Sequence, residues 1–239
     1  MQKMTIASQQ GDSWMPESGI SQSKRPVRRM NSAYRRQEII NAAFSCIEEA
    51  GHLSLSTTEL AHMVGISQPA IFRHFRSKQQ LHDAILDEAN NRVIERLKAL
   101  IGQAEQWNSP ITLARNVMSE MASDFREKPG VWLALIFSRN LRDQDSLVEH
   151  KKCASSQLRF TLERICQKAV ESGELEASTK PGLLSEILVS LLFGLGQEWL
   201  NNERQSDLPT QLCYAVDSIL NGNRTSQIVH HEPLAAIRA

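Results

Sequence analysis

The sequence predicts an all-α fold: a small N-terminal three-helix unit carrying a helix-turn-helix, followed by a larger helical domain. Three observations predict it. Apolar residues recur at three- and four-residue spacing along most of the 239 residues. Glycine and proline punctuate that pattern at its breaks, and no stretch alternates with a period of two between turn signals.

Residues 1–31 carry Gln, Ser, Gly and Pro with few large apolar groups. They cannot bury enough surface to offset their ordering entropy, so they are expected to form a flexible basic arm. Asn31 or Ser32 can cap a first helix, in which Ile39, Ile40, Ala43, Phe44 and Ile47 form one face before Gly51 closes it. A short helix from about Thr57 to Val64 ends at Gly65, and a third runs from about Gln68 to Phe75. A fourth begins near Lys78, with Leu81, Ile85, Val93, Leu97 and Leu100 on one side. Residues 32–92 are read as the first domain, with its helix-turn-helix at about 56–75.

The second domain is placed at 93–222. Beyond Pro110 come a helix with Ala114, Met118, Met121 and Phe125, and another from Val131 to Leu141. Leu158, Leu162, Ile165 and Ala169 mark a long helix that stops at Gly173. Pro181 and Gly182 open a strongly apolar helix to about Leu200, and a last one runs from about Leu208 to Leu220. Residues 223–239 are expected to be a disordered tail.

Composition narrows the function classes. Hydrophobic residues make up 41% and charged residues 23%, the balance of a globular protein. The apolar run from Gly182 to Leu200 is interrupted by Ser185, Glu186, Ser190, Gln197 and Glu198, so no membrane span is expected. The N-terminus lacks an apolar core and a small-residue cleavage site, which makes the cytoplasm, on the nucleoid, the expected location. Cys46, Cys153, Cys166 and Cys213 form no C-x-x-C pair, and no short-spaced ligand set exists, so neither a metal nor a cofactor is expected. Dinucleotide, nucleophile-elbow and zinc-protease motifs are absent from the sequence, and the expectation is a protein that is not an enzyme.

Net charge is zero, yet residues 1–80 carry ten Lys/Arg against six Asp/Glu. Lys24, Arg25, Arg28, Arg29, Arg35 and Arg36 all precede the first acid after Glu17, which is Glu38. A basic N-terminal end on a mildly acidic body points to a polyanion bound at that end.

The informative stretch runs from Ser54 to Leu81, SLSTTELAHMVGISQPAIFRHFRSKQQL. Ser56-Thr57-Thr58-Glu59 reads as a capping box, with serine and glutamate each satisfying the other's amide. Leu60, Ala61 and Val64 form an apolar stripe, Gly65 supplies a left-handed turn, and Ile66 plugs that turn into the core. Ser67 caps the next helix, where Pro69 is tolerated in the first turn. Ile71, Phe72 and Phe75 are expected to pack inward or against the turn, and Gln68, Ala70, Arg73 and His74 to be free to face outward. Such a pair of helices holds the second one proud of the surface, where its first residues reach base edges in the major groove. Gln68 suits an adenine edge and Arg73 a guanine edge, while Ser56, Thr57, His74 and Lys78 suit phosphate.

Residues from about Ser32 to Arg92 resemble the DNA-binding domain of the tetracycline-repressor (TetR) family. The matching features are Arg36-x-x-Ile39-x-x-Ala42-Ala43, Gly51, Ser56, Leu60-Ala61, Val64-Gly65-Ile66-Ser67, Ala70-Ile71-Phe72-x-His74-Phe75 and Ser77-Lys78-x-x-Leu81. The resemblance implies a DNA-binding set of Ser56, Thr57, Ser67, Gln68, Pro69, Ala70, Phe72, Arg73, His74 and Lys78. In one departure, Phe72 stands where the family usually has tyrosine, so a phosphate-binding hydroxyl is missing.

The resemblance also implies that the rest of the chain dimerises and binds a small-molecule effector. Residues 183–200 and 208–220 are the expected dimer helices, with Gly194 and Gly196 permitting close approach of two backbones. Phe125, Trp132, Phe137, Phe160 and Phe193 are the expected effector contacts. The function expected is a sequence-specific transcriptional regulator, a repressor released from a palindromic operator by a small molecule. The alternatives are a DNA-binding structural or cell-division factor of the same fold without a ligand, and a protein-responsive regulator.

Overall fold

The structure is a computed structural model that describes residues 32–52, 55–102, 109–141 and 153–224, with side chains of the third span described through Phe137. The basic arm at 1–31 and the tail from residue 225 onward lie outside the described residues.

Helical spacing of the apolar residues resolves into α1 (Ser32–Ala50), α2 (Thr57–Val64), α3 (Gln68–His74), α4 (Lys78–Gly102) and α5 (Pro110–Glu127). These are followed by α6 (Pro129–Leu141), α7 (Ala154–Glu171), α8 (Pro181–Asn201) and α9 (Leu208–Gly222). No strand occurs among the described residues; one isolated bridge joins Leu175 to Arg224. That bridge, with the Glu176 amide donating to the Asn223 carbonyl at 2.9 Å, orders the first two residues of the expected tail.

Local chemistry sets the helix ends. Gly51, Gly65 and Gly173 stand at φ of 67°, 69° and 75°, a left-handed conformation that costs glycine nothing. The α5 start is held from another element: Glu174, just past α7, accepts from the Ser109 hydroxyl at 2.5 Å and from the Ile111 amide at 3.2 Å. A carboxylate there also complements the positive end of the helix dipole.

The helical body is a layered bundle in which α7 lies along α8 and α5 along α9. At its centre Phe125 stacks on Trp132 with ring centroids 5.2 Å apart, Trp132 meets Phe193 at 5.8 Å, and Trp199 meets Phe125 edge-on at 6.4 Å. Gly196 faces this cluster: a Cβ there would lie 2.4 Å from the Phe125 ring. Its lack of a side chain therefore serves packing within the chain, not the approach of a second chain that the sequence suggested. Asp124, itself buried, accepts from Trp132 Nε1 at 3.1 Å and from Lys128 Nζ at 2.6 Å, which ties the α5–α6 corner together.

By length and composition α8 qualifies to cross a membrane. Its Leu184, Leu188, Leu192 and Phe193 are nevertheless buried inside the bundle, as a core helix requires. The opposite side of α8 leaves Leu183, Ile187, Ser190 and Gly194 accessible, at helical spacing. On α9, Tyr214 is 78% exposed.

The N-terminal helices are seated on this body by close contacts. Helix α4 runs unbroken past residue 92, the expected domain boundary. Gly130 in the first turn of α6 approaches α1 so closely that a Cβ would lie 2.1 Å from the Phe44 carbonyl oxygen. Arg204, between α8 and α9, pairs with Glu48 of α1 at 2.8 Å.

Candidate nucleic-acid interface

Helices α2 and α3 meet through a turn closed by backbone bonds from Gly65, Ile66 and Ala70. The Ser56 hydroxyl accepts from the Glu59 amide at 3.3 Å and starts α2. The expected return bond from the Glu59 carboxylate does not appear among the described contacts. At the other end, the Ile66 amide donates to the Ala61 carbonyl at 2.9 Å and the Gly65 amide to the His62 carbonyl at 3.1 Å, a Schellman closure. Ser67 occupies the cap position of α3 but makes no side-chain cap bond, contrary to expectation; its carbonyl accepts from the Ala70 amide at 2.8 Å.

Ile71 and Phe75 are fully buried and fix the rotation of α3. Ala70 and Phe72 lie about 100° to either side of Ile71, with His74 on the Ala70 side, and the protein covers that side. Ala70 is accordingly 7% exposed, which removes it from the outward-facing set. Phe72 falls on the other flank, beside Pro69 and Arg73, and is 39% exposed rather than packed inward. The solvent face of α3 thus consists of Gln68, Pro69, Phe72 and Arg73, with Ser67 exposed just ahead of it.

Two contacts tie α3 to its neighbours. Gln68 Nε2 donates to Thr57 Oγ1 at 2.7 Å, joining the first residue of α3 to the first residue of α2. Arg36 of α1 donates through Nη1 to the His74 carbonyl at 2.9 Å, and its guanidinium covers the Phe75 ring at 4.2 Å. In the sequence Arg36 stands out only as part of a motif and of the basic run; its partner lies 38 positions away, and no local pattern marks it.

The turn into α4 carries a second cap that the reading missed. Ser77 Oγ accepts from the Gln80 amide at 3.0 Å, and Gln80 Oε1 accepts from the Arg76 amide at 2.5 Å. The Ser-x-x-Gln spacing was its visible signal. It places Lys78 at the first position of α4, exposed beside Arg76 and close in sequence to Arg73. Ser56 and Thr57 are half-buried at the start of α2. Arg73, Arg76 and Lys78 thus cluster near the α3–α4 turn, where they supply a positive field.

Of the expected effector residues, Phe125, Trp132 and Phe193 come together in the aromatic cluster and Phe137 is half-buried on α6. Phe160 does not join them. It is 56% exposed on the outer side of α7, in a groove shared with Glu163, Arg164 and Lys168. The apolar spacing of α7 is satisfied by Leu158 and Leu162, two residues to either side of it.

Residues 39–85 match the family described as bacterial regulatory proteins, tetR family. The chain is 24% identical over 148 residues to the nucleoid occlusion factor SlmA of Marinobacter nauticus, covering 62% of this chain and 72% of that one. It is 25% identical over 173 residues to the HTH-type transcriptional activator FasR of Mycolicibacterium smegmatis, covering 72% and 75%. The fold is shared with the transcriptional regulator FadR of Bacillus subtilis, solved in complex with stearoyl-CoA, at a TM-score of 0.63 and 16% identity, over 78% of this chain and 98% of that one. The matched segment runs from α1 through α2 and α3 into the start of α4. Residues 39–85 thus carry a DNA-binding helix-turn-helix of the tetR type, and the chain as a whole is similar to regulators that contain it.

Proposed function

We propose that the protein acts as a homodimer that binds a palindromic operator, with α3 of each protomer in the major groove, and that a small molecule releases it. The observation that carries this reading is the composition of the α3 surface: Gln68, Phe72 and Arg73 point to solvent from a helix whose other side is locked by buried Ile71 and Phe75. One helix of this length reads few base pairs, and a twofold pair separated by about one DNA turn supplies the missing specificity. Base contact is assigned to Gln68 and Arg73. Phosphate contact is assigned to Ser56, Thr57, His74 and Lys78, with Ser67 and Pro69 lining the approach. Ala70 drops out because it is buried.

The dimer surface is assigned to α8 and α9, through the accessible stripe of Leu183, Ile187 and Gly194 and through Tyr214. Two such helices from each protomer make a four-helix interface, in which exposed apolar side chains find cover. Release requires only that the effector prefer the conformation whose two α3 helices do not match the operator. Helix α6, with Trp132 in the aromatic cluster and Gly130 against α1, connects an apolar effector region to the reading head. FadR, of the same fold, was solved with stearoyl-CoA, and an effector with an apolar body fits the Phe125–Trp132–Phe193 surroundings.

A second reading, a chromosome-bound factor that works without a ligand, draws on a different observation. Phe125, Trp132, Phe193 and Trp199 are in ring contact with one another and Gly196 is pressed against them, so they already fill the centre of the bundle. The similarity to the SlmA nucleoid occlusion factors favours the same reading.

The deciding experiment is footprinting of the purified protein on its own upstream intergenic DNA at two salt concentrations. It is followed by melting of the protein against apolar metabolites. A short palindromic footprint that persists at moderate salt, with an upward melting shift from one compound class, is the expected result. Diffuse salt-labile protection overturns the operator reading, and specific sites dispersed along the chromosome with no melting shift select the second reading.

A further inference from the structure

The bond from Gln68 Nε2 to Thr57 Oγ1, 2.7 Å long, lies on the exposed side of the helix-turn-helix. An amide nitrogen carries two hydrogens, and Thr57 takes one of them. With Thr57 on the hydrogen anti to Oε1, the other hydrogen and Oε1 form a donor and an acceptor side by side. That pair matches adenine in the major groove, where N7 accepts and the N6 amino group donates. A hydroxyl has one proton and two lone pairs, and Oγ1 spends one lone pair on Gln68. Its proton is left for an outward acceptor, and a phosphate oxygen beside the groove is the acceptor available there.

Thr57 suits this task for physical reasons. Its β-branched side chain has few χ1 choices, and it is half-buried at the first position of α2. Gln68, by contrast, is exposed at the first position of α3, where its long side chain has no packing to hold it. An unrestrained glutamine swings its amide between orientations that present a donor or an acceptor to the same base edge.

We propose that Thr57 is the positioning residue that gives Gln68 its base preference: one hydroxyl fixes the amide for adenine while its proton engages the adjoining phosphate. The proposal rests on the reading of α3 as the groove-entering helix. Base choice and backbone register are then coupled through a single oxygen, so a displaced phosphate also misaligns the base reader.

The test is binding-site selection with the full-length protein, comparing wild type with Gln68→Ala, Thr57→Val, Thr57→Ser and the Gln68→Ala/Thr57→Val double variant. Wild type is expected to prefer adenine at one position of each half-site by about tenfold or more, the discrimination of one bidentate pair. Gln68→Ala flattens that position, Thr57→Val flattens it to a similar degree, and the double variant flattens it no further. Thr57→Ser, which keeps the hydroxyl, restores the preference to within about threefold of wild type, and this rescue separates positioning from general helix damage. Melting curves and unchanged selection at all other positions confirm that each variant is folded. Retained adenine preference in folded Thr57→Val, with loss in Gln68→Ala, overturns the positioning role and leaves the groove reading intact. An unchanged profile in Gln68→Ala overturns the inference at its base, and the footprint then decides separately whether the operator reading survives.

Discussion

Arg36 of α1 donates through Nη1 to the main-chain carbonyl of His74 at 2.9 Å, so the first helix holds the last turn of the recognition helix. The same guanidinium covers the Phe75 ring at 4.2 Å. A planar cation serves both contacts at once, closing a carbonyl that the helix end leaves open and covering an aromatic face.

Arg36→Ala is therefore expected to destabilise the fold by about 1.5–3 kcal/mol, the usual range for a hydrogen bond from a charged group. DNA affinity should fall equally on all sites, because α3 loses its anchor and not its reading residues. Arg36→Lys should recover part of the stability, since an ammonium can donate to the carbonyl but does not stack on Phe75 as a planar group. Urea unfolding of the three proteins checks this, and an Arg36→Ala midpoint equal to wild type would remove the anchoring role.

Much of the architecture could be read from the chain because each helix end carries its own signal. Gly51, Gly65 and Gly173 adopt the left-handed conformation that their position after an apolar run suggests. The rotation of α3 was harder to read: seven residues make barely two turns, too few for periodicity to separate Ala70 from Phe72. Only the burial of Ala70 alongside Ile71 in the folded chain decides it. Contacts between distant elements leave no local mark at all. Gly196 illustrates the point, since a small residue on an apolar helix looks the same whether it meets Phe125 of its own chain or a second backbone. The Thr57–Gln68 bond joins two residues that were each singled out, but their pairing depends on the turn geometry around Gly65.

Gly130 carries the second prediction. A Cβ at this position would lie 2.1 Å from the Phe44 carbonyl oxygen and 2.8 Å from its carbon, and both belong to backbone that cannot swing aside. Gly130→Ala must push α6 away from α1. Overpacking of this kind costs about 1–3 kcal/mol. The melting temperature is expected to fall, with weaker operator binding, because α1 also positions α3 through Arg36. A variant that melts like wild type would show that α1 and α6 can separate freely.

His82 supplies a pH dependence. Burial, with a smaller contribution from the Lys78 charge, lowers its pKa below the ordinary 6.5, while Asp83 opposes the shift. Its Nε2 is buried without a hydrogen-bond partner. The folded state therefore holds the ring neutral, whereas the unfolded chain takes up a proton below 6.5. The resulting stability is present above that value and is lost as pH falls through the lower folded pKa. Denaturant midpoints between about pH 7 and pH 5 should decline less steeply in His82→Gln than in wild type. Parallel declines would show that other groups govern the acid response.

Lys78 opens α4 beside the Ser77–Gln80 cap and is exposed. As a phosphate contact it should contribute affinity without sequence information. Lys78→Ala is expected to weaken binding to every site alike and to reduce the slope of log affinity against log salt by about one per bound protomer. Titrations at several salt concentrations measure this directly. A slope equal to wild type would mean that Lys78 does not touch the DNA backbone.

Ile187 tests the assembly on which palindromic recognition depends. It is 42% exposed on α8, one turn after Leu183 at 55%, while Tyr214 on α9 is 78% exposed. Covering such side chains with those of a second copy contributes roughly 25 cal/mol per Å² of apolar surface removed from water. Ile187→Glu places a charge at the centre of that stripe, where a dimer would have to desolvate it. Light scattering is expected to show wild type as a dimer and Ile187→Glu as a folded monomer with unchanged helical content. The variant should also lose most of its affinity for a full palindrome while retaining its weak binding to an isolated half-site. If Ile187→Glu remains a dimer, the chains meet through a face other than α8, and the spacing of the two α3 helices must be sought from that interface instead.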